Sequence, residues 1–171
     1  MRLLTASETE EWCRTQGVEL DDRGLLSHPR EGRPHTTFEL PKESRSVTWL
    51  AQFIEGALRP RQDCLLWVTR WGVWPSSENW HLYYRLRQSY GDLRLLSEAP
   101  GHLFLEYETA DLVSFISLGI LCGWDFGLLP SFGYGAAFVS HDEWVEFSMD
   151  HEYQIQEIAT EAEKRRMIQR R

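Results

Sequence analysis

WDFGLLPSFGYGAAFVSHDEWVEFSM, residues 124–149, holds three short apolar runs, WDFGLL, GAAFV and WVEFSM, set apart by Gly, Pro, Ser and Asp. Runs of this length, rich in Trp, Phe and Val, predict strands, and the residues between them supply turn chemistry. Connections this short make strand neighbours antiparallel, so the stretch predicts a β-meander. The second connection, around Ser140, His141, Asp142 and Glu143, reads as a hairpin turn because Ser and Asp bond their own backbone in turns.

Working back from the meander, LVSFISLGILCGW (112–124) is apolar nearly all round. It predicts a buried helix that opens near Glu108 or Thr109, ends at Cys122 and lies centrally. HLFLEY (102–107) and DCLLWVTRW (63–71) predict strands, the second central because it is continuously apolar. Between them, a helix from about Glu78 to Tyr90 has Ser76 or Ser77 as its cap and Gly91 at its end. Val47, Leu50, Ala51, Ile54 and Leu58 recur at helical spacing and Pro60 follows, which predicts a helix over 46–58. HTTFEL (35–40) reads as a strand and residues 21–35 as a loop. Thr5–Gln16 reads as a helix with Ser7 and Glu10 as a capping box and Gly17 past its end.

The resulting order predicts an α+β fold: a mixed, mainly antiparallel sheet with a C-terminal meander, packed by about four helices. An α/β layered fold is the competitor. Residues 1–151 form one globular domain in this reading, and 152–171 a charged helix or tail. The tail has acids early and bases late, as the helix dipole favours, but only a thin apolar stripe of Ile155, Ile158 and Ala162.

Composition limits the function. Aromatics make up 13% of the 171 residues, with eight Trp, which excludes a disordered chain. The net charge of −8 disfavours direct nucleic-acid binding and favours a basic protein partner. Arginine outnumbers lysine, whose only positions are Lys42 and Lys164, as in the product of a GC-rich genome. Cys13, Cys64 and Cys122 are scattered and odd in number, which is no disulfide or zinc pattern and suits a reducing cytoplasm. The N-terminus is not a signal peptide, and the longest apolar run is too short to span a bilayer.

Ser140, His141 and Asp142 name the members of a hydrolase triad, but neighbours on a strand point to opposite faces, and a triad must converge. Nor does any H-x-x-x-H, H-E-x-x-H or C-x-x-C spacing preset a metal site. No catalytic residue, metal or cofactor is therefore expected, and no Gly-rich phosphate loop follows a strand.

Two features suggest contact surfaces instead. Residues 95–163 contain no Lys or Arg but many carboxylates, among them Asp142, Glu143 and Glu146. VTRWGVWPSSENWHLYYR (68–85) crowds together Trp71, Trp74, Trp80 and Tyr84, of the residue types enriched at interface hot spots. Phe132 and Tyr134 join them from a Gly-rich loop. The leading expectation is a non-enzymatic protein-binding domain, in its sharpest form an immunity- or antitoxin-like inhibitor with an acidic, aromatic surface facing a basic partner. The rival is a small-ligand pocket or enzyme site lined by Trp71, Trp74, His81, Tyr84, Arg85 and His141. A subunit of a larger assembly, including a homo-oligomer, is the third.

Overall fold

The computed structural model describes residues 1–18, 20, 32–60, 62–131 and 135–170. The elements are β1 (Arg2–Leu4), α1 (Ala6–Thr15), β2 (His35–Glu39), α2 (Ser44–Leu58), β3 (Cys64–Arg70), α3 (Leu82–Ser89), β4 (Gly101–Phe104), α4 (Thr109–Leu121), β5 (Asp125–Pro130), β6 (Gly135–Ser140), β7 (Trp144–Met149) and α5 (Glu152–Lys164). Short 3-10 turns lie at Pro75–Trp80, Leu96–Glu98 and Glu106–Glu108.

The seven strands form one sheet in the order β1-β4-β3-β5-β6-β7-β2. Every paired neighbour is antiparallel, so the fold is α+β, and the parallel pairs that an α/β layered fold would need are absent among the described residues. The meander forms as its turn spacing predicts, with Val139 opposite both Phe126 and Val145.

Side-chain alternation divides the core between the two faces of this sheet. On one face, Leu66, Phe126, Leu128, Val139 and Phe147 pack beneath α2, α4 and α5, which contribute Leu50, Ile54, Ile116 and Ile158. The other face buries Leu65, Trp67, Leu103 and Leu129 against Leu4 and Cys13. Strand β3 is therefore covered on both sides, which is why its sequence is continuously apolar. Ile155, Ile158 and Ala162 seat α5 in the main core, and Glu39 and Thr37 of β2 exchange backbone hydrogen bonds with Ile168 and Arg170 beyond it. The tail thus docks at the sheet edge.

Three local readings change. The α1 cap is Thr5, which accepts the Glu8 N–H while Glu8 accepts the Thr5 N–H; Ser7 falls inside the first turn. The expected 78–90 helix is divided, because His81 is extended and its Nδ1 accepts the Tyr83 N–H at 3.1 Å, starting α3 afresh. Helix α4 is an outer layer: Leu112 and Ile116 are buried, Phe115 and Leu118 are half-buried, and Leu121 is exposed. Strand β1 was not foreseen, since three residues carry too little pattern without the β4 partner that defines them.

Helix α4 meets β5 at Gly119, where an added Cβ would lie 2.6 Å from the ring of the fully buried Phe126. Gly119→Ala should therefore destabilise the protein by about 1–3 kcal/mol through overpacking, despite the better helix propensity of Ala. Urea unfolding measures this, and an unchanged midpoint would show that the crossing accommodates a methyl group.

Candidate functional site

The segment between β3 and β4 sorts its aromatics by direction. Gly72 makes the first turn at φ 62°, where any Cβ would come 3.0 Å from the Gly123 carbonyl oxygen, so the chain needs glycine there. Trp71 then turns inward. It stacks on Tyr83 at 5.8 Å and meets Trp124 edge-on at 4.7 Å. Pro75 starts the 3-10 turn, and the Glu78 carboxylate accepts the Leu96 N–H, which ties the turn down. Trp74 and Trp80 point outward, at 81% and 78% exposure.

Helix α3 is amphipathic in an unusual sense. Its inner face carries Tyr83, Tyr84 and an arginine, Arg87, all buried. Leu82, Leu86 and Tyr90, at i, i+4 and i+8, lie on the outer face with Leu93 beyond it, all four exposed. Arg87 is tolerated because Asp92 pairs with it at 3.1 Å and its guanidinium lies 5.9 Å from the Tyr83 ring centre. The hydrogen bond from Arg94, helped by Arg87, holds the Asp92 carboxyl down to about 2. Leu86, Tyr90 and Leu93 line a groove of about 1070 Å³ with Phe115 and Leu3.

Beneath α3, the Tyr83 hydroxyl sits 2.6 Å from His102 Nε2, and His102 Nδ1 is 3.3 Å from the Leu66 carbonyl oxygen. Nδ1–H therefore donates to Leu66, and Nε2 accepts the tyrosine proton. Burial holds the His102 imidazole down to about 3 and pushes the Tyr83 phenol up, so both are neutral. Burial likewise raises the Cys64 thiol to about 12, which removes it as a nucleophile.

The meander turn makes a second polar cluster. Glu143 adopts φ 61° and closes a three-residue connection between β6 and β7. Ser140 Oγ accepts the Asp142 N–H at 3.2 Å, so its hydroxyl serves the turn. His141 looks away from Ser140: its N–H and its Nδ1 reach Asp125 Oδ1 at 2.6 and 2.7 Å. With Nδ1–H given to Asp125, Nε2 accepts from Arg70 Nη1 at 2.9 Å. Asp125, His141 and Arg70 come from the start of β5, the turn and the end of β3, and no local spacing could have shown their meeting. Among the described residues, no group of three or more His, Cys, Asp or Glu side chains could hold a metal ion.

The expected contact residues fall in different places. Trp74 and Trp80 are outward, whereas Trp71 is half-buried and Tyr84 is buried. Asp142 and Glu143 are exposed on the turn, and Glu146 is buried on a sheet strand. Phe132 and Tyr134 lie outside the described residues. Of the rival pocket, Trp71, Trp74 and Tyr84 line one groove of about 820 Å³ together with Arg70, while His81, Arg85 and His141 fall outside its lining. The carboxylates of 95–163 are dispersed: Asp125 serves His141, Asp150 pairs with Arg33 at 2.6 Å, and Glu108 pairs with the N-terminal amine. Leu82, Leu86, Tyr90 and Leu93 were missed. Their i, i+4 spacing was visible, but an apolar stripe normally faces the core, and here the aromatic one does.

No helix among the described residues is long and apolar enough to cross a membrane. Comparison with protein-family models, with curated proteins and with solved structures finds no match.

His102 makes stability depend on pH. Its folded value, about 3, lies below the ordinary 6.5, so the unfolded chain binds the extra proton between these values. Stability from this group is complete above pH 6.5 and falls as pH drops toward 3, by about 2 kcal/mol at pH 5. Urea unfolding at pH 7.5 and pH 5 measures the loss. His102→Asn should flatten the slope, and an equal slope in both proteins would assign it to other groups.

Proposed function

We propose that the chain is a protein-binding domain whose contact surface is the apolar corner built by the Pro75–Trp80 turn and α3. One observation carries this reading: Trp74, Trp80, Leu82, Leu86, Tyr90 and Leu93 are all solvent-exposed within a single stretch of chain. A folded chain has no internal reason to expose so much large apolar surface in one place, and such patches mark contact sites. Trp and Tyr are also the residues that dominate binding energy when a partner covers them.

The partner in this proposal is a protein with a basic surface, because the chain carries −8 overall. Asp142 and Glu143 add exposed acid on the meander turn, which joins the base of the corner through the Arg70–His141 contact. In its sharpest form the domain is an inhibitor of the immunity or antitoxin type, covering the basic face of another enzyme.

Capture from the native host, at low and at high salt, tests the proposal. The wild-type protein should retain a partner at low salt and lose part of it at high salt. Trp80→Ala with Leu82→Glu should weaken capture by about thirtyfold or more at unchanged thermal stability, since both side chains are exposed. Equal capture by the variant would remove the corner from the interface. Absence of any partner at low salt would remove the reading itself.

A second reading, a small-ligand site, is favoured by one observation: Arg70 lines the Trp71–Trp74–Tyr84 groove while His141, itself fixed by Asp125, bonds its guanidinium. It predicts that an aromatic carboxylate raises the melting temperature of the wild type and not of Arg70→Ala. No shift in the wild type would leave the groove without this role.

A further inference from the structure

The chain is acidic overall, yet four of its cations converge on one groove. Lys42, from the β2–α2 connection, and Arg45, in the first turn of α2, meet Arg165 and Arg166, which follow α5, around a concavity of about 630 Å³. Pro41, Trp49 and Met167 give it an apolar floor, and Glu39 is the single carboxylate among its described lining residues. More than a hundred residues of sequence separate the two pairs, and tertiary structure alone brings them together. Backbone bonds from Glu39 N–H to Ile168 O and from Arg170 N–H to Thr37 O, each 2.9 Å, pin the C-terminal segment beside β2.

Helix α5 closes on Arg166, as α2 closes on the left-handed Arg59. The Arg166 N–H bonds Glu163 O at 2.8 Å and the Met167 N–H bonds Ala162 O at 3.0 Å, the paired pattern that closes a helix with a left-handed residue. That residue is ordinarily glycine, because a Cβ is disfavoured there. Here it is Arg166, at φ 57°, a cation at a position where glycine would be less strained. Arg165 lies over the Trp49 ring at 5.2 Å, and its charge also reaches the exposed Glu161 carboxylate. Arg45 pairs with Glu43 at 2.9 Å, but both side chains are largely exposed, so water screens the pair and an incoming anion can displace it.

We infer that this groove binds a phosphate-bearing small molecule of nucleotide size. Guanidinium forks match phosphate oxygens in bidentate geometry, and Lys42 adds a point charge. The volume is that of a small-molecule pocket, and the apolar floor accepts a ring. The inference is independent of the corner at α3, since the two share no residue.

Calorimetric titration of the whole chain with inorganic pyrophosphate, a nucleoside triphosphate and a short DNA duplex tests it. The triphosphate should bind to the wild type and to Arg14→Gln, whose cation lies on α1. Arg166→Gly should weaken that binding by about tenfold while the melting temperature stays the same or rises, because glycine suits the left-handed position. Lys42→Gln with Arg45→Gln should weaken it as well. The inference is overturned if neither phosphate compound binds at about 1 mM, a ceiling weak for any built site. Binding that survives Arg166→Gly and the double variant overturns it too. So does a protein that takes the duplex but not the triphosphate, which would be a general polyanion pole.

Discussion

The stacking of Trp71 on Tyr83, with the Tyr83 hydroxyl bonded to His102, decides how the outer surface of this protein is made. Those contacts press the aromatic face of α3 onto β4 and the β3 corner. A helix has only one inward face, so pressing Tyr83, Tyr84 and Arg87 inward turns Leu82, Leu86 and Tyr90 outward. The cost of that choice is visible in Arg87, a buried cation that needs Asp92 and an aromatic face to be tolerated. Aromatic rings bury more area than leucine and hydrogen-bond besides, which is why they win the core position.

The elements behind that corner are packed against one another on both sides of the sheet. Strand β3 is covered on both faces, β5 is its antiparallel neighbour, and α4 locks onto β5 at Gly119. The Arg70–His141–Asp125 chain extends the same frame across the sheet end, linking the corner to the meander turn. Charge is distributed with equal consequence: carboxylates on many elements, and cations gathered where the C-terminal segment returns to β2. A net charge of −8 describes neither region by itself.

Local chemistry left a legible record along most of the chain. The meander, the two-sided burial of CLLWV and the C-terminal ends of α1, α2 and α4 all follow from apolar period, turn residues and helix stops, because each rests on neighbours within a few positions. The candidate site was legible in part. Trp74 and Trp80 stood out as residue types enriched at interface hot spots, and they are exposed. Trp71 and Tyr84, alike in type and spacing, went into the core, and Glu146 went into a buried strand position despite its charge. Residue type says what a side chain can do and not which side of its element has a neighbour.

From the sequence alone came the class of the fold, the antiparallel meander and the failure of Ser140, His141 and Asp142 as a triad, since all of these depend on short-range geometry. Tertiary structure decided which stripe of α3 faces water, that His141 belongs with Asp125 and Arg70, and that Arg166 lines the same groove as Lys42. Each of those pairings joins elements far apart in sequence, and their meeting is set by how the sheet orders its strands and by which faces compete best for burial.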